Sequence, residues 1–221
     1  MLTREGLQEA QYKIFGPYHR RRLSLPFASS RLRYDVTLPL MPDNLNGLAV
    51  LDYGGGDGAM ATLLADRGAS VAVVDSSRAA LRFAQSDARL KVVQAKTDLP
   101  IKSGSFDLVT LLETIEHIDD TSEIRALAET SRVLKPDGSA IISVPSSNRA
   151  VRMKHYRHYS YGDLIKKCES VGLIPRKVVF YRRPRLNFLS RAAVYGVALT
   201  TEQKADGIVI SATKTNYNIL Q

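Results

Sequence analysis

From residue 49 onward, apolar and polar positions alternate between two regular patterns. Short apolar runs at Ala49-Val50-Leu51, Val71-Ala72-Val73-Val74, Val92-Val93, 106–112 and 140–144 predict strands covered on both faces. Between them, 60–67, 78–87 and 122–134 carry apolar residues at the three-to-four spacing of helices. Gly68 stops the first of these, Ser76 or Ser77 can cap the second, and Pro136-Asp137-Gly138 ends the third. Such alternation predicts an α/β fold with a doubly wound, mostly parallel, seven-stranded sheet. A helix over 161–171, closed by Gly172, then precedes strands at 178–181 and 208–212. No crossover helix pattern of full strength joins the last two, which predicts an antiparallel edge strand.

The first 47 residues break this rhythm. Residues 1–22 predict a short polar helix, then Gly16-Pro17 and the basic cluster His19-Arg20-Arg21-Arg22. Residues 23–48, punctuated by Pro26, Pro39 and Pro42, predict irregular chain. The division is therefore a helical and irregular segment over 1–47 and one α/β domain over 48–221, with a basic insert near 182–206.

Composition narrows the class. With 221 residues, 44% hydrophobic and 24% charged, the chain can bury an ordinary core, which excludes disordered and collagen-like chains. Its apolar runs fall far short of the ~20 residues of a spanning helix. The charged N-terminal stretch lacks the apolar core of a secretory signal. One cysteine, Cys168, allows no intrachain disulfide and no multi-cysteine zinc site, and fits a small apolar core position. These features predict a cytoplasmic protein. The net charge of +9 is uneven: about +3 over 1–48, −4 over 49–145 and +10 over 146–221. A basic face of this kind reads either as solvated surface or as a platform for an anionic partner.

The chemistry concentrates at Asp52-Tyr53-Gly54-Gly55-Gly56-Asp57-Gly58, between a strand and a helix. Glycines there let backbone approach a ligand, and the following helix offers unpaired N–H groups. Asp75 ends the next strand, where a carboxylate can accept from both ribose hydroxyls of a nucleotide or cap the next helix. The Gly-x-Gly-x-Gly spacing differs from the dinucleotide pattern. Asp52 and Asp57 would repel a pyrophosphate and suit a ligand with a cationic end.

With these motifs, the sequence resembles class I S-adenosylmethionine-dependent methyltransferases of the broad small-molecule type. The resemblance covers about 48–181 and rests on LDYGGGDG, VVD, DLPIKSGSFDLVTLLETIEHI, RVLKPDGSAIISVP and HYRHYSYGDLIKKCESVGL. It implies S-adenosylmethionine as cofactor and S-adenosylhomocysteine as product. It places Asp52, Tyr53, Gly54, Gly56 and Gly58 at the methionine end and Asp75 with Ser76 at the ribose. Thr97 and Asp98 flank the adenine, and Leu112 and Glu113 face the sulfonium and acceptor. Relatives often carry an acidic residue where this chain has Ala95, so Asp98 either replaces that contact or caps a turn. The segment 1–47 then becomes a lid contributing to the acceptor pocket.

Methyl transfer from a sulfonium needs alignment and, for some acceptors, a base, so no triad is expected. His117 is the candidate base, with Glu113 beside it, and its alternative role is to hold a loop. Glu113, Glu116 and His117 could converge on Mg²⁺ or Zn²⁺ if the segment turns helically. The segment resembles the Glu-x-x-Glu-His element of ubiquinone-pathway O-methyltransferases and of small-RNA 3′-end 2′-O-methyltransferases. No metal is the favoured reading. Arg20, Arg21, Arg22, Arg152, Lys154, His155, Arg157 and His158 are the candidate acceptor-binding residues. The expected reaction is methylation, foremost at oxygen, of a polar or anionic small molecule. RNA-directed 2′-O-methylation on the basic face is the alternative, and a non-catalytic binding protein of the same fold is a third. The insert 182–206 could form a helix past Pro184 that touches an anionic membrane surface or packs on the sheet or a second subunit. A monomer and a homodimer both remain open.

Overall fold

The computed structural model describes residues 3–24, 29–151, 153–182 and 198–215. Arg152 and most of the basic insert, including the helix expected past Pro184, lie outside them.

One mixed sheet organises the chain, with strands in the order β3-β2-β1-β4-β5-β8-β6-β7. The predicted apolar runs form β1 (Ala49–Tyr53), β2 (Ser70–Asp75), β3 (Lys91–Gln94), β4 (Phe106–Leu112) and β5 (Leu134–Pro145), all paired in parallel. β5 begins earlier than the sequence pattern suggests. It runs through Pro136-Asp137-Gly138 with Asp137 at φ +60° and a register shift against β4. β8 (Gly207–Lys214) inserts antiparallel between β5 and β6 (Leu173–Arg182), so the sheet ends in antiparallel strands on that side. A two-residue β7 (Ala198–Leu199) adds an eighth strand at that edge.

Alternation along each strand splits the core between the two faces. Val50 packs with Leu64 of α4 (Ala59–Asp66) and Leu81 of α5 (Arg78–Ala84). Its neighbour Leu51 packs with Leu127 of α6 (Asp120–Val133) and with Leu164 and Cys168 of α7 (Tyr161–Glu169). Cys168 is fully buried, and burial pushes its thiol up to about 12, as befits a packing residue. Helix starts follow local side-chain chemistry. The hydroxyl of Ser77 accepts from Ala80 N–H, Asp119 from Ser122 N–H and Ser160 from Asp163 N–H. α4 differs: its cap is Gly58 at φ +77°, with no side-chain cap.

The N-terminal segment corrects the irregular reading of 23–48. α1 (Arg4–Phe15) and α2 (Tyr18–Leu23) are followed by α3 (Ser29–Thr37) and a 3-10 turn at Leu38–Leu40. α3 has weak amphipathic character but adds Tyr34 and Val36 to the core on the α4 side. Tertiary packing, rather than local propensity, makes it a helix. Tyr12 of α1 packs on Ala79 and Ala80 of α5, so α1 and α2 lie across the C-terminal ends of the central strands. Among the described residues, no helix is long and apolar enough to cross a membrane.

Candidate active site

Strand order reverses between β1 and β4, the place where open α/β sheets bind ligands beyond their strand ends. A cavity of two lobes opens there. Gln8, Gly54, Glu113 and His117 line both lobes. One lobe extends past Tyr53 to Asp75, Ser76 and Thr97. The other extends past Asp52, Gly56 and Leu112 to Arg33, Lys154 and His155.

The glycine loop joins the lobes. Gly54 and Gly56 lie at φ +74° and +55°, and a side chain at either would collide, with Thr114 and with the Tyr12 hydroxyl respectively. Here glycine is required on both conformational and steric grounds. Asp75 is 5% exposed. Its Oδ2 accepts from Gly56 N–H at 2.9 Å and its Oδ1 from Ser77 N–H at 2.8 Å. Ser77 caps α5, so Asp75 is not the helix cap. Burial raises its carboxyl despite these N–H donors.

Three buried groups in the loop region keep unpartnered polar atoms: Asp52 Oδ2, Asp57 Oδ1 and Arg33 Nε. Asp52 Oδ1 accepts from the Thr110 hydroxyl at 2.7 Å, while burial pushes its carboxyl up to about 6. Asp57 Oδ2 accepts from the backbone N–H groups of His19 and Arg20 at 2.9 and 3.2 Å, and burial raises its carboxyl also. Arg33 is 8% exposed. Its burial would lower the guanidinium, but Glu113 and neighbouring groups raise it on balance, so it stays charged.

After β4 the chain turns through Glu113, held at φ +50°, into a 3-10 turn at Ile115–His117. His117 Nδ1 lies 3.1 Å from the Lys154 carbonyl, and its Nε2 lies 3.8 Å from Glu116 Oε1. Burial lowers its imidazole below the usual range, leaving it neutral at physiological pH. Glu116 is fully buried, and neither of its carboxylate oxygens has a hydrogen-bond partner. Burial, then Glu113, pushes its carboxyl well up.

Residues 51–142 match the family described as "Methyltransferase domain". The ubiquinone biosynthesis O-methyltransferase of Alkalilimnicola ehrlichii is 35% identical over 111 residues, covering 47% of this chain and 44% of that protein. The Rickettsia conorii protein of the same name is 24% identical over 204 residues, covering 87% and 66%. The chain thus spans less than two thirds of these relatives. Among solved structures, an S-adenosylmethionine-dependent methyltransferase from Thermotoga maritima matches at 20% identity with a TM-score of 0.71, covering 94% of this chain and all of that one. The Burkholderia thailandensis 1,6-didemethyltoxoflavin-N1-methyltransferase, solved with its acceptor and S-adenosylhomocysteine, matches at 20% with a TM-score of 0.67, covering 96% and 90%. Residues 51–142 thus carry a methyltransferase-domain match, and the chain has the fold of the solved S-adenosylmethionine-dependent methyltransferases.

S-adenosylmethionine, for which the solved neighbours are named, is a zwitterion carrying a sulfonium, and the residues present here fit such a group. Unpartnered buried carboxylate oxygens and an unpartnered buried guanidinium nitrogen flank the same loop. They are complementary to an ammonium and a carboxylate.

The sequence-derived candidates fall into two groups. Asp52, Tyr53, Gly54, Gly56, Asp75, Ser76, Thr97, Leu112, Glu113 and His117 line the cavity, as do Arg22, Lys154 and His155. The others do not. Gly58 serves as the α4 cap. Asp98 turns outward to Arg125 at 3.4 Å and is 77% exposed. Arg20 spends its guanidinium on Phe83 O, Ser86 and Thr62, and Arg21 caps Phe15 O. Arg157 clamps Ile115 O and Ile118 O and pairs with Asp120 and Glu123. His158 lies behind His155 and bonds the Arg149 carbonyl. Charge runs alone could not separate cavity-facing cations from structural ones. Sequence reasoning missed Arg33, Tyr12, Tyr34 and Arg149, all lining the lobe beyond Asp52 and Gly56, because their segments show no period that predicts which way they face.

Ligand atoms of Glu116, His117 and His155 lie within 4.8 Å of one another, close enough for donors to share an ion. Glu113 is not in that set. Arg33 already supplies positive charge to both Glu113 and Glu116, and Lys154 to Glu116, so we assign no metal ligand.

Proposed function

We propose that the chain transfers a methyl group from S-adenosylmethionine to an oxygen atom of a small polar or anionic acceptor. The observation that carries this reading is the position of His117, a neutral imidazole at the junction of the two lobes with its Nδ1 held by the Lys154 carbonyl. A carbonyl can only accept, so Nδ1 carries the proton and Nε2 is the base.

The cofactor supplies an activated methyl group on sulfur. The chain's residues do the rest. Asp75 receives the ribose hydroxyls and Tyr53 and Thr97 border the adenosyl lobe. Asp52 takes the methionine ammonium and Arg33 its carboxylate. Glu113, fixed by its own strained turn, faces the junction. His117 Nε2 takes the acceptor hydroxyl proton as the oxygen is methylated. Arg22, Arg149 and Lys154 in the outer lobe favour an acceptor with an anionic group. The cover of α1–α3 over that lobe favours a small acceptor over RNA.

The test has two stages. Calorimetry should show micromolar or tighter binding of S-adenosylmethionine, weakened at least tenfold by Asp75→Ala. Mass spectrometry of hydroxylated acids incubated with methyl-labelled cofactor should then show label on oxygen, lost in His117→Ala while cofactor binding persists. Undiminished binding by the Asp75 variant, or label transfer unaffected by the His117 variant, would overturn these assignments.

A further inference from the structure

Behind the acceptor lobe, three imidazoles form a ladder whose proton positions are dictated from its ends. His158 Nδ1 lies 2.9 Å from the Arg149 carbonyl oxygen. That oxygen cannot donate, so neutral His158 carries its proton on Nδ1 and has a lone pair on Nε2. His158 Nε2 lies 2.8 Å from His155 Nδ1. The proton between them must therefore belong to His155 Nδ1, and the lone pair of His155 resides on Nε2. His155 lines the outer lobe while His158 does not. His155 stands edge-on to His117, ring centres 4.7 Å apart and planes at 86°. The Lys154 carbonyl imposes the same tautomer on His117.

We propose that His158 is a positioning residue that fixes the tautomer of His155, so that the acceptor site offers two imidazole bases rather than one. This rests on reading the outer lobe as a methyl-acceptor site. The acceptor O–H bond breaks and its proton goes to Nε2 of His117 or His155. The oxygen's electron pair forms the new O–C bond, and the S–C pair remains on sulfur as a neutral thioether. A second base lets acceptors with hydroxyls at different positions be deprotonated in one pocket. His155 packs against His117 and His158, ring centres 4.7 and 5.0 Å away, and its ligand nitrogen lies within 4.8 Å of the ligand atoms of Glu116 and His117.

The chain has four histidines, few enough to assign individually by substitution. In protein labelled with ¹⁵N-histidine, long-range ¹H–¹⁵N spectra near pH 7.5 should show His155 and His158 both as Nδ1–H tautomers. His158→Phe keeps a ring of similar volume but cannot accept a proton. It should move His155 largely to the Nε2–H form, while the calorimetric affinity for S-adenosylmethionine stays within about twofold. His158→Gln, whose amide both donates and accepts, should restore the Nδ1–H form at least in part. A wild-type spectrum with His155 protonated on Nε2, or an Nδ1–H signature unmoved in His158→Phe, would overturn the proposal. The wild-type spectrum decides the matter even if the phenylalanine variant does not fold. Failure of the wild type to bind S-adenosylmethionine would instead strike the proposed function and leave the tautomer assignment standing.

Discussion

Asp52 is subject to opposing demands. Its site is fully buried, which disfavours the charged form and lifts the carboxyl to about 6, yet a cationic ligand requires that form. The sign is fixed by this shift. Above about pH 6 the carboxylate is ready to accept from an ammonium group, and below it binding must first expel a proton. Calorimetric affinity for S-adenosylmethionine should be flat from pH 8 to 7 and fall by up to about tenfold per pH unit below 6. Asp52→Asn should weaken binding by about 10–100-fold, the loss of a charge-assisted hydrogen bond, and flatten that limb. An unchanged acid limb in the variant would remove Asp52 from the cofactor site. This residue and Asp75 were legible in the sequence because strand, turn and helix place them locally. Arg33 was not, because only the packing of α3 against the sheet carries it to the loop.

At the scale of elements, α1 and α2 are fastened to the glycine loop and α5 by polar contacts more than by a broad apolar seam. Asp57 accepts two N–H groups at the start of α2. Glu9 accepts from the Ser77 hydroxyl at 2.6 Å. Arg20 reaches α4 through Thr62 and the end of α5 through Phe83 O and Ser86. Adjacent arginines therefore have different roles. Arg20→Ala should cost about 1–3 kcal/mol, since it unpairs several partly buried acceptors. Arg21→Ala, whose side chain serves one exposed carbonyl, should stay within about 0.5 kcal/mol. Paired denaturant titrations compare them directly, and equal losses would refute the fastening role of Arg20. In sequence these residues form one basic cluster, and charge counting reads them alike. The sheet strands were legible because burial on both faces writes continuous apolar runs. α3 was not, because its buried face mixes Arg33 and Thr37 with Leu32, Tyr34 and Val36 instead of presenting an apolar stripe.

For the whole molecule, the parallel strands β1, β2 and β4 supply a rigid floor and the N-terminal helices a cover, with the cavity between them. A ligand bound in that cavity touches both, so its binding energy should appear as stability of the cover as well as of the floor. At a concentration 100 times its dissociation constant, a ligand selective for the folded state adds about 2.7 kcal/mol. For a chain of this size that corresponds to a rise in Tm of about 5–11 °C. S-adenosylmethionine and S-adenosylhomocysteine should both produce it, and NADH should not, because the loop carboxylates Asp52 and Asp57 disfavour a diphosphate. Hydrogen exchange tells where the stabilisation lies. Amides of His19 and Arg20, bonded to Asp57 beside the cavity, should slow together with those of the loop at 54–58. If the thermal shift occurs while α1 and α2 exchange at their ligand-free rate, the cover is not coupled to the cofactor. The acceptor lobe would then be bounded by the floor alone.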